Sequence, residues 1–156
     1  MRGLFLLAAA SLIAASCAHG AASPPRLSAL CDNRDVVVAF YTEALVAPER
    51  QPRAAFERYM APNFTEHKPD IPGGTREATA SFLEEVIAAV PQARWEIVRT
   101  IAEGDLVFLH VRFAPAEGAP AYAIADVFRV QDCRIVEHWD VVAGPVESAV
   151  NSNSRF

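Results

Sequence analysis

The sequence predicts an α+β fold in which helices gathered in the first half meet an antiparallel sheet formed by the second. Three observations carry that expectation. Apolar residues recur at helical spacing between residues 32 and 90, and from Arg94 onward they alternate with a period of two. Tight turn signals, Glu103-Gly104-Asp105 and Gln131-Asp132, fall between the alternating runs. Helices first and a meander last make an α+β domain whose sheet curls over the helices. A chain of 156 residues is long enough for one such domain with a real core.

Residues 1–20 stand apart from that domain. Arg2 precedes an uncharged apolar run from Gly3 to Cys17, followed by small residues, which is the layout of a bacterial secretory signal and is short for a membrane span. Cleavage after Gly20 fits a small-x-small site at Ala18 and Gly20, while Ala14-Ala15-Ser16-Cys17 resembles a lipobox in which Cys17 becomes lipidated. The expected location is therefore periplasmic or secreted, with membrane attachment only through a lipid anchor at Cys17. Residues 21–31 read as a linker containing Ser23-Pro24-Pro25, and residues 32–156 as the folded domain.

Within the domain, Asp32 is placed to cap a first helix whose apolar positions are Val36, Val37, Phe40, Tyr41 and Leu45. Pro48 and Pro52 punctuate, and Pro52 suits the first turn of a second helix bearing Phe56, Tyr59 and Met60. The stretch APNFTEHKPDIPGG, residues 61–74, holds a short extended piece bounded by prolines and glycines. Thr75 caps a third helix with Phe82, Leu83, Val86, Ile87 and Val90 on its apolar stripe, ended by Pro91. Strands then read at 94–103, 105–114, 121–130 and 134–142, with Pro115, Gly118 and Pro120 marking a longer connection.

The net charge is −5, Lys68 is the single lysine, and no basic cluster occurs. Nucleic acid is not an expected partner, because phosphate binding needs a positive footprint. With Cys17 removed or lipidated, Cys31 and Cys133 remain, either as one disulfide or as two thiols. A bridge would close a loop of about a hundred residues, worth about 4–5 kcal/mol in the chain-entropy picture before strain.

Strand alternation sorts the polar residues into faces. Asp126 shares a row with Tyr122, Ile124, Phe128 and Val130, so a carboxylate interrupts an otherwise apolar face. His110 shares a row with Leu106, Phe108 and Arg112, and on spacing alone it reads as a core histidine. His138 and Asp140 point one way with Val136 and Val142, and Glu137 and Trp139 the other. Burial without a partner would push a carboxyl such as Asp126 upward, toward proton transfer near neutral pH; a structural hydrogen bond or ion pair explains the same pattern equally well. His67, His110 and His138, even with Glu66, Asp126 and Asp140, lack the close spacing of a metal site, and no nucleophile elbow, P-loop or dinucleotide fingerprint occurs. Neither a metal nor a cofactor is expected, and any catalysis would be acid–base. Tyr122 and Trp95 read first as packing.

Several stretches together carry a family resemblance: FTEHKPDIPGG at 64–74, IAEGDLVFLHVRF at 101–113, DVFRV at 126–130, CRIVEHWDVV at 133–142 and the terminal NSNSRF. From about Val36 to Phe156 the chain resembles the SnoaL-like polyketide cyclases of the nuclear transport factor 2-like superfamily, especially the branch described as predicted aldol-condensation enzymes. Where that family has a Q-H-N-P-like stretch, this chain has Glu66-His67-Lys68-Pro69, differing at two of the four positions. The resemblance implies a cone-shaped curved antiparallel sheet wrapped around three helices, a pocket at the wide end and a homodimer formed through the sheet. It also implies cofactor-free chemistry in which the Asp of a D-x-[FY]-R strand, here Asp126, acts as general acid/base. His67, His110 and His138 would then polarise a carbonyl or orient the substrate, with Tyr122, Trp95, Phe108 and Asp140 as further candidate pocket lining. Two functions follow as expectations: an exported lyase, cyclase or isomerase acting on a small carbonyl compound, or a non-catalytic binder of a small hydrophobic ligand in the same pocket.

Overall fold

The computed structural model describes residues 31–146 and 148–156. The expected secretory signal, Cys17 and all of the expected linker but Cys31 lie outside the described residues. Helix α1 spans Asn33–Tyr41, and the Asp32 side chain caps it by accepting a hydrogen bond from the Arg34 N–H at 2.8 Å. A π-helical turn, Thr42–Val46, continues it and buries Ala44 and Leu45. Helix α2 spans Pro52–Tyr59 with proline in its first turn, where the missing N–H costs nothing. Strand β1 (Met60–Glu66) follows directly, then a short 3₁₀ turn at Pro72–Gly74 and helix α3 (Arg76–Ala89). The Thr75 hydroxyl caps α3 by accepting from the Ala78 N–H. Strands β2 (Arg94–Glu103), β3 (Leu106–Ala114), β4 (Tyr122–Gln131) and β5 (Arg134–Ala143) complete the chain's regular structure.

The five strands form one sheet in the order β1-β5-β4-β3-β2. β2 to β5 make the expected antiparallel meander, but β1 pairs with β5 in parallel, so the sheet is mixed. A parallel pair is possible here because the connection from β1 to β5 runs through α3 and three strands, far more chain than a hairpin has. The expected second helix reached Met60; in the structure Met60 opens β1 and pairs with Ile135. In the β4–β5 hairpin the two-residue loop, Asp132-Cys133, has both φ values positive, 49° and 61°, as a type I′ turn requires. Cys133 is bonded there to Cys31, with their Cα atoms 5.8 Å apart across a sequence separation of 102. The start of the domain is thereby tied to the far tip of the sheet.

Cross-strand register divides the sheet into two faces. On the concave face, Val107 aligns with Phe128, His138 and Glu66; Leu109 with Asp126 and Asp140; and Val111 with Ile124 and Val142. Helices α1 and α2 cover the narrow part of this face, where Val37, Phe40, Phe56, Met60, Val107, Phe128 and Ile135 are buried together. Edge-on aromatic contacts, Phe40 to Phe56 at 5.1 Å and Phe40 to Phe128 at 5.9 Å, lock the helices to the sheet. On the convex face Ile101 aligns with Phe108, Val127 and Trp139, and His110 with Ala125 and Val141. A bulge in β5 corrects the simple alternation: Arg129 pairs with Glu137 but Val130 with Ile135, so Val136 is the extra residue and Ile135 is the one fully buried. No helix among the described residues is long and apolar enough to cross a membrane.

Candidate functional site

The core does not fill the wide end of the sheet. There a cavity of about 360 Å³ opens between the concave face, the π-helical turn and α3. Its walls are largely aromatic, with Phe40, Phe56, Phe82, Trp95, Phe113 and Phe128 among them. Trp95 is held in place from behind by the Arg50 guanidinium, 4.9 Å from the ring centroid, while Arg50 also donates to the Leu45 carbonyl at 3.0 Å. Glu66, Lys68, Asp126, His138 and Asp140 line the same cavity and form its polar end.

His138 sits between two buried carboxylates. Its Nδ1 is 2.9 Å from both oxygens of Glu66, and its Nε2 is 3.2 Å from Asp126 Oδ1. Both ring nitrogens face acceptors, and only an imidazolium has an N–H at each. Burial disfavours that charge, but hydrogen bonds to Asp126 and Glu66 and their negative charges outweigh it, raising the His138 pKa to about 10. The ring also stacks on Phe128 at 4.6 Å. Glu66 is fixed in turn by the Lys68 backbone N–H, which donates to its Oε1 at 3.0 Å. Gly74 presses on the same strand end: a Cβ there would lie 2.7 Å from the Glu66 carbonyl oxygen, and its φ of 57° is one that glycine adopts freely.

A second pair completes the polar end. Lys68 Nζ lies 2.9 Å from Asp140 Oδ2, with side-chain exposures of 18 % and 12 %. Burial alone would lower the Lys68 ammonium, but its contacts with Asp140 and Asp70 raise it above its ordinary value, so it stays charged. The Tyr41 phenol faces the same cavity, and burial first, then the Asp126 charge and a hydrogen bond to the Asp126 carboxylate, hold it well above the usual phenol range and therefore protonated. Three carboxylates thus meet two cations at this end. One polar atom is left over: Asp126 Oδ2 is buried and has no hydrogen-bond partner among the described residues. Asp126 as a whole is only 4 % exposed.

Of the residues singled out in the sequence, the structure brings Asp126, His138, Asp140, Tyr122 and Trp95 to this cavity. It places the other three elsewhere. His110 is on the convex face, where Arg99 Nη1 is 2.8 Å from its Nδ1 and the Phe156 ring stacks on it at 5.8 Å. It is neither a core histidine nor a pocket group, because the wholly apolar row Val107, Leu109 and Val111 takes the inside of β3. Phe108 follows His110 outward for the same reason. His67 stacks flat on Trp139 at 4.5 Å and pairs with Glu137 at 3.5 Å, again on the convex side. Glu66, Lys68 and Tyr41 were not expected as pocket groups. Glu66 shares its strand row with Phe64, so alternation in NFTE would have turned it inward once that stretch was read as a strand. Among the described residues, no group of three or more His, Cys, Asp or Glu side chains is arranged to hold a metal ion.

Comparison with known proteins agrees with this architecture. A family model described as SnoaL-like domain matches residues 32–138. Among solved structures, a candidate isomerase of the SnoaL-like family from Agrobacterium tumefaciens aligns with a TM-score of 0.61 at 18% identity, covering 72% of this chain and 98% of that one. A candidate polyketide cyclase from Acidithiobacillus ferrooxidans aligns with a TM-score of 0.57 at 19% identity, covering 72% and 89%. An NTF2-like protein of unknown function from Cytophaga hutchinsonii aligns equally well, at 0.57 and 16% identity over 72% and 90%. No curated protein matches the sequence. Identities this low show the shared fold.

Proposed function

Because the chain belongs to the SnoaL-like domain family, we propose that the concave cavity is the site of a cofactor-free acid–base enzyme, a cyclase, isomerase or aldol-type lyase acting on a small carbonyl compound. The observation that carries this reading is Asp126: a buried carboxylate lining the cavity, with Oδ1 tied to His138, the Tyr41 phenol interacting with the same carboxylate, and Oδ2 making no other hydrogen bond among the described residues. In this mechanism Asp126 Oδ2 removes a proton α to the substrate carbonyl. The His138 imidazolium holds Asp126 by its other oxygen, and Glu66 holds His138. As charge moves to the carbonyl oxygen, the protonated Tyr41 phenol is the donor in the cavity that stabilises the enolate, while Lys68 stays paired with Asp140. Asp126 then returns the proton at a different carbon, or the enolate attacks a second carbonyl and Asp126 returns the proton to the alkoxide that forms.

The test needs no knowledge of the natural substrate. Enolisable benzo-fused ketones such as 2-tetralone, incubated in deuterium oxide, should lose α-proton signals faster with the protein than in buffer alone. Asp126→Asn should abolish the excess rate in protein that still folds, with a lower Tm because the His138 imidazolium loses one of its two counter-charges. Exchange that survives the substitution contradicts the assignment. The second reading, a non-catalytic hydrophobic ligand carrier, is favoured by the aromatic lining alone; it predicts tight retention of ketones with no exchange at all.

We also propose that the mature protein is exported, as the residue 1–20 pattern indicates; the Cys31–Cys133 bond supports this, since such bonds persist in oxidising compartments. A homodimer through the convex face is supported by Ile101 and Val141, which are 61 % and 70 % exposed there. Intact mass of the exported protein reads the cleavage site and any lipid on Cys17, and sedimentation reads the dimer.

A further inference from the structure

The polar end of the cavity has a charge arrangement that bears on which molecules enter it. Among the described residues, Lys68 and His138 are the only cationic side chains in the lining, and both are already committed. His138 presents one nitrogen to Glu66 and the other to Asp126, so it has no further N–H to offer. Lys68 is paired with Asp140 at 2.9 Å and lies 3.7 Å from Asp70. The lining sets three carboxyl groups, Glu66, Asp126 and Asp140, against these two cationic groups. Its one unsatisfied polar atom, Asp126 Oδ2, is an acceptor. A buried acceptor without a donor is costly, a cost that a ligand hydroxyl or ammonium would relieve and a ligand carboxylate would worsen.

We propose that this cavity selects its ligand by the head group: it admits a ring-bearing molecule whose head is an uncharged or cationic hydrogen-bond donor, such as a hydroxylated or enolic carbonyl compound, and it excludes carboxylates and phosphates. The proposal rests on the reading that this cavity is the substrate site and adds the substrate's charge class to it. The cavity volume, about 360 Å³, lies near the lower end of the usual ligand-pocket range of about 300–1,000 Å³. A fused two-ring skeleton fits that size, and the aromatic walls favour it.

Three probes of one skeleton separate the possibilities: 2-naphthol, 2-naphthylmethylamine and 2-naphthoate, titrated by calorimetry at pH 7.5. The naphthol or the amine should bind at least tenfold tighter than the naphthoate. Asp126→Asn, which replaces the free acceptor with an amide, should narrow that gap to a few-fold. Asp140→Asn, which frees the charge of Lys68, should raise naphthoate affinity several-fold while leaving the naphthol little changed. This second variant decides the matter if the first does not fold. Naphthoate binding as tightly as the naphthol and the amine overturns the proposal, as does failure of all three to bind at millimolar concentration. The binding result is independent of proton exchange: exchange with no charge selectivity sinks only the selectivity, and selectivity without exchange sinks only the catalytic reading.

Discussion

Strands β4 and β5 carry two triads of the same form on opposite faces. On the concave side His138 stands between Glu66 and Asp126, at 2.9 and 3.2 Å; on the convex side Arg129 stands between Asp105 and Glu137, at 2.7 and 2.6 Å. The geometry is alike, but the surroundings are not. Side-chain exposures are 14 %, 0 % and 6 % inside, against 32 %, 45 % and 31 % outside. Outside, water competes for every contact and screens the charges, so the triad adds little to stability. Inside, each charge depends on the other two, and removing one leaves the rest without compensation. The convex triad is interchangeable surface chemistry. The concave one is an expensive arrangement beside a cavity, with one carboxylate oxygen left open.

The contrast can be broken most sharply at His138. His138→Leu leaves Glu66 and Asp126 facing each other across a buried gap, and stability measured by urea denaturation should fall by about 3–5 kcal/mol. A smaller loss, about 1–2 kcal/mol, is expected for Gly74→Ala, which sets a Cβ against the Glu66 carbonyl and asks alanine to adopt a positive φ. That variant should also loosen His138, read as weaker protection of its ring protons from exchange.

The pH dependence follows from His138 alone. Its folded pKa, about 10, lies above its unfolded value near 6.5, so the native state binds the proton more tightly. Its stabilisation is fully present below about pH 6.5 and is lost as pH rises toward 10. Denaturation midpoints should therefore decline across that window in the wild type, and His138→Gln should show a flatter profile. The smallest effect belongs to the convex triad. Arg129→Gln should shift Tm by about 1–2 °C or less, and less still in high salt.

Asp126 was legible in the sequence because a carboxylate interrupted the apolar row Tyr122, Ile124, Phe128 and Val130, and burial of that row follows from alternation alone. His138 and Asp140 were legible as sharing a face for the same reason. Val136 was misplaced with them because a bulge shifts the β4–β5 register just there. His110 was misjudged because β3 has two rows with apolar members, and only their comparison shows that the wholly apolar one turns inward. Glu66 and Lys68 were hidden for a different reason. Their partners, His138 and Asp140, each lie 72 residues away across the parallel β1–β5 pair, and local periodicity carries no information about such a pairing. Tyr41 reads as one more apolar helix position until helix packing sets it beside Asp126.

The concave triad holds a buried imidazolium whose Nε2 is bound to Asp126, the base. Nitrogen and proton NMR of the His138 ring, followed from pH 6 to pH 10, measures this directly. The account predicts both ring nitrogens protonated at pH 7 and still so near pH 9. A neutral ring at pH 7, with a single N–H and a bare nitrogen facing one carboxylate, would contradict it.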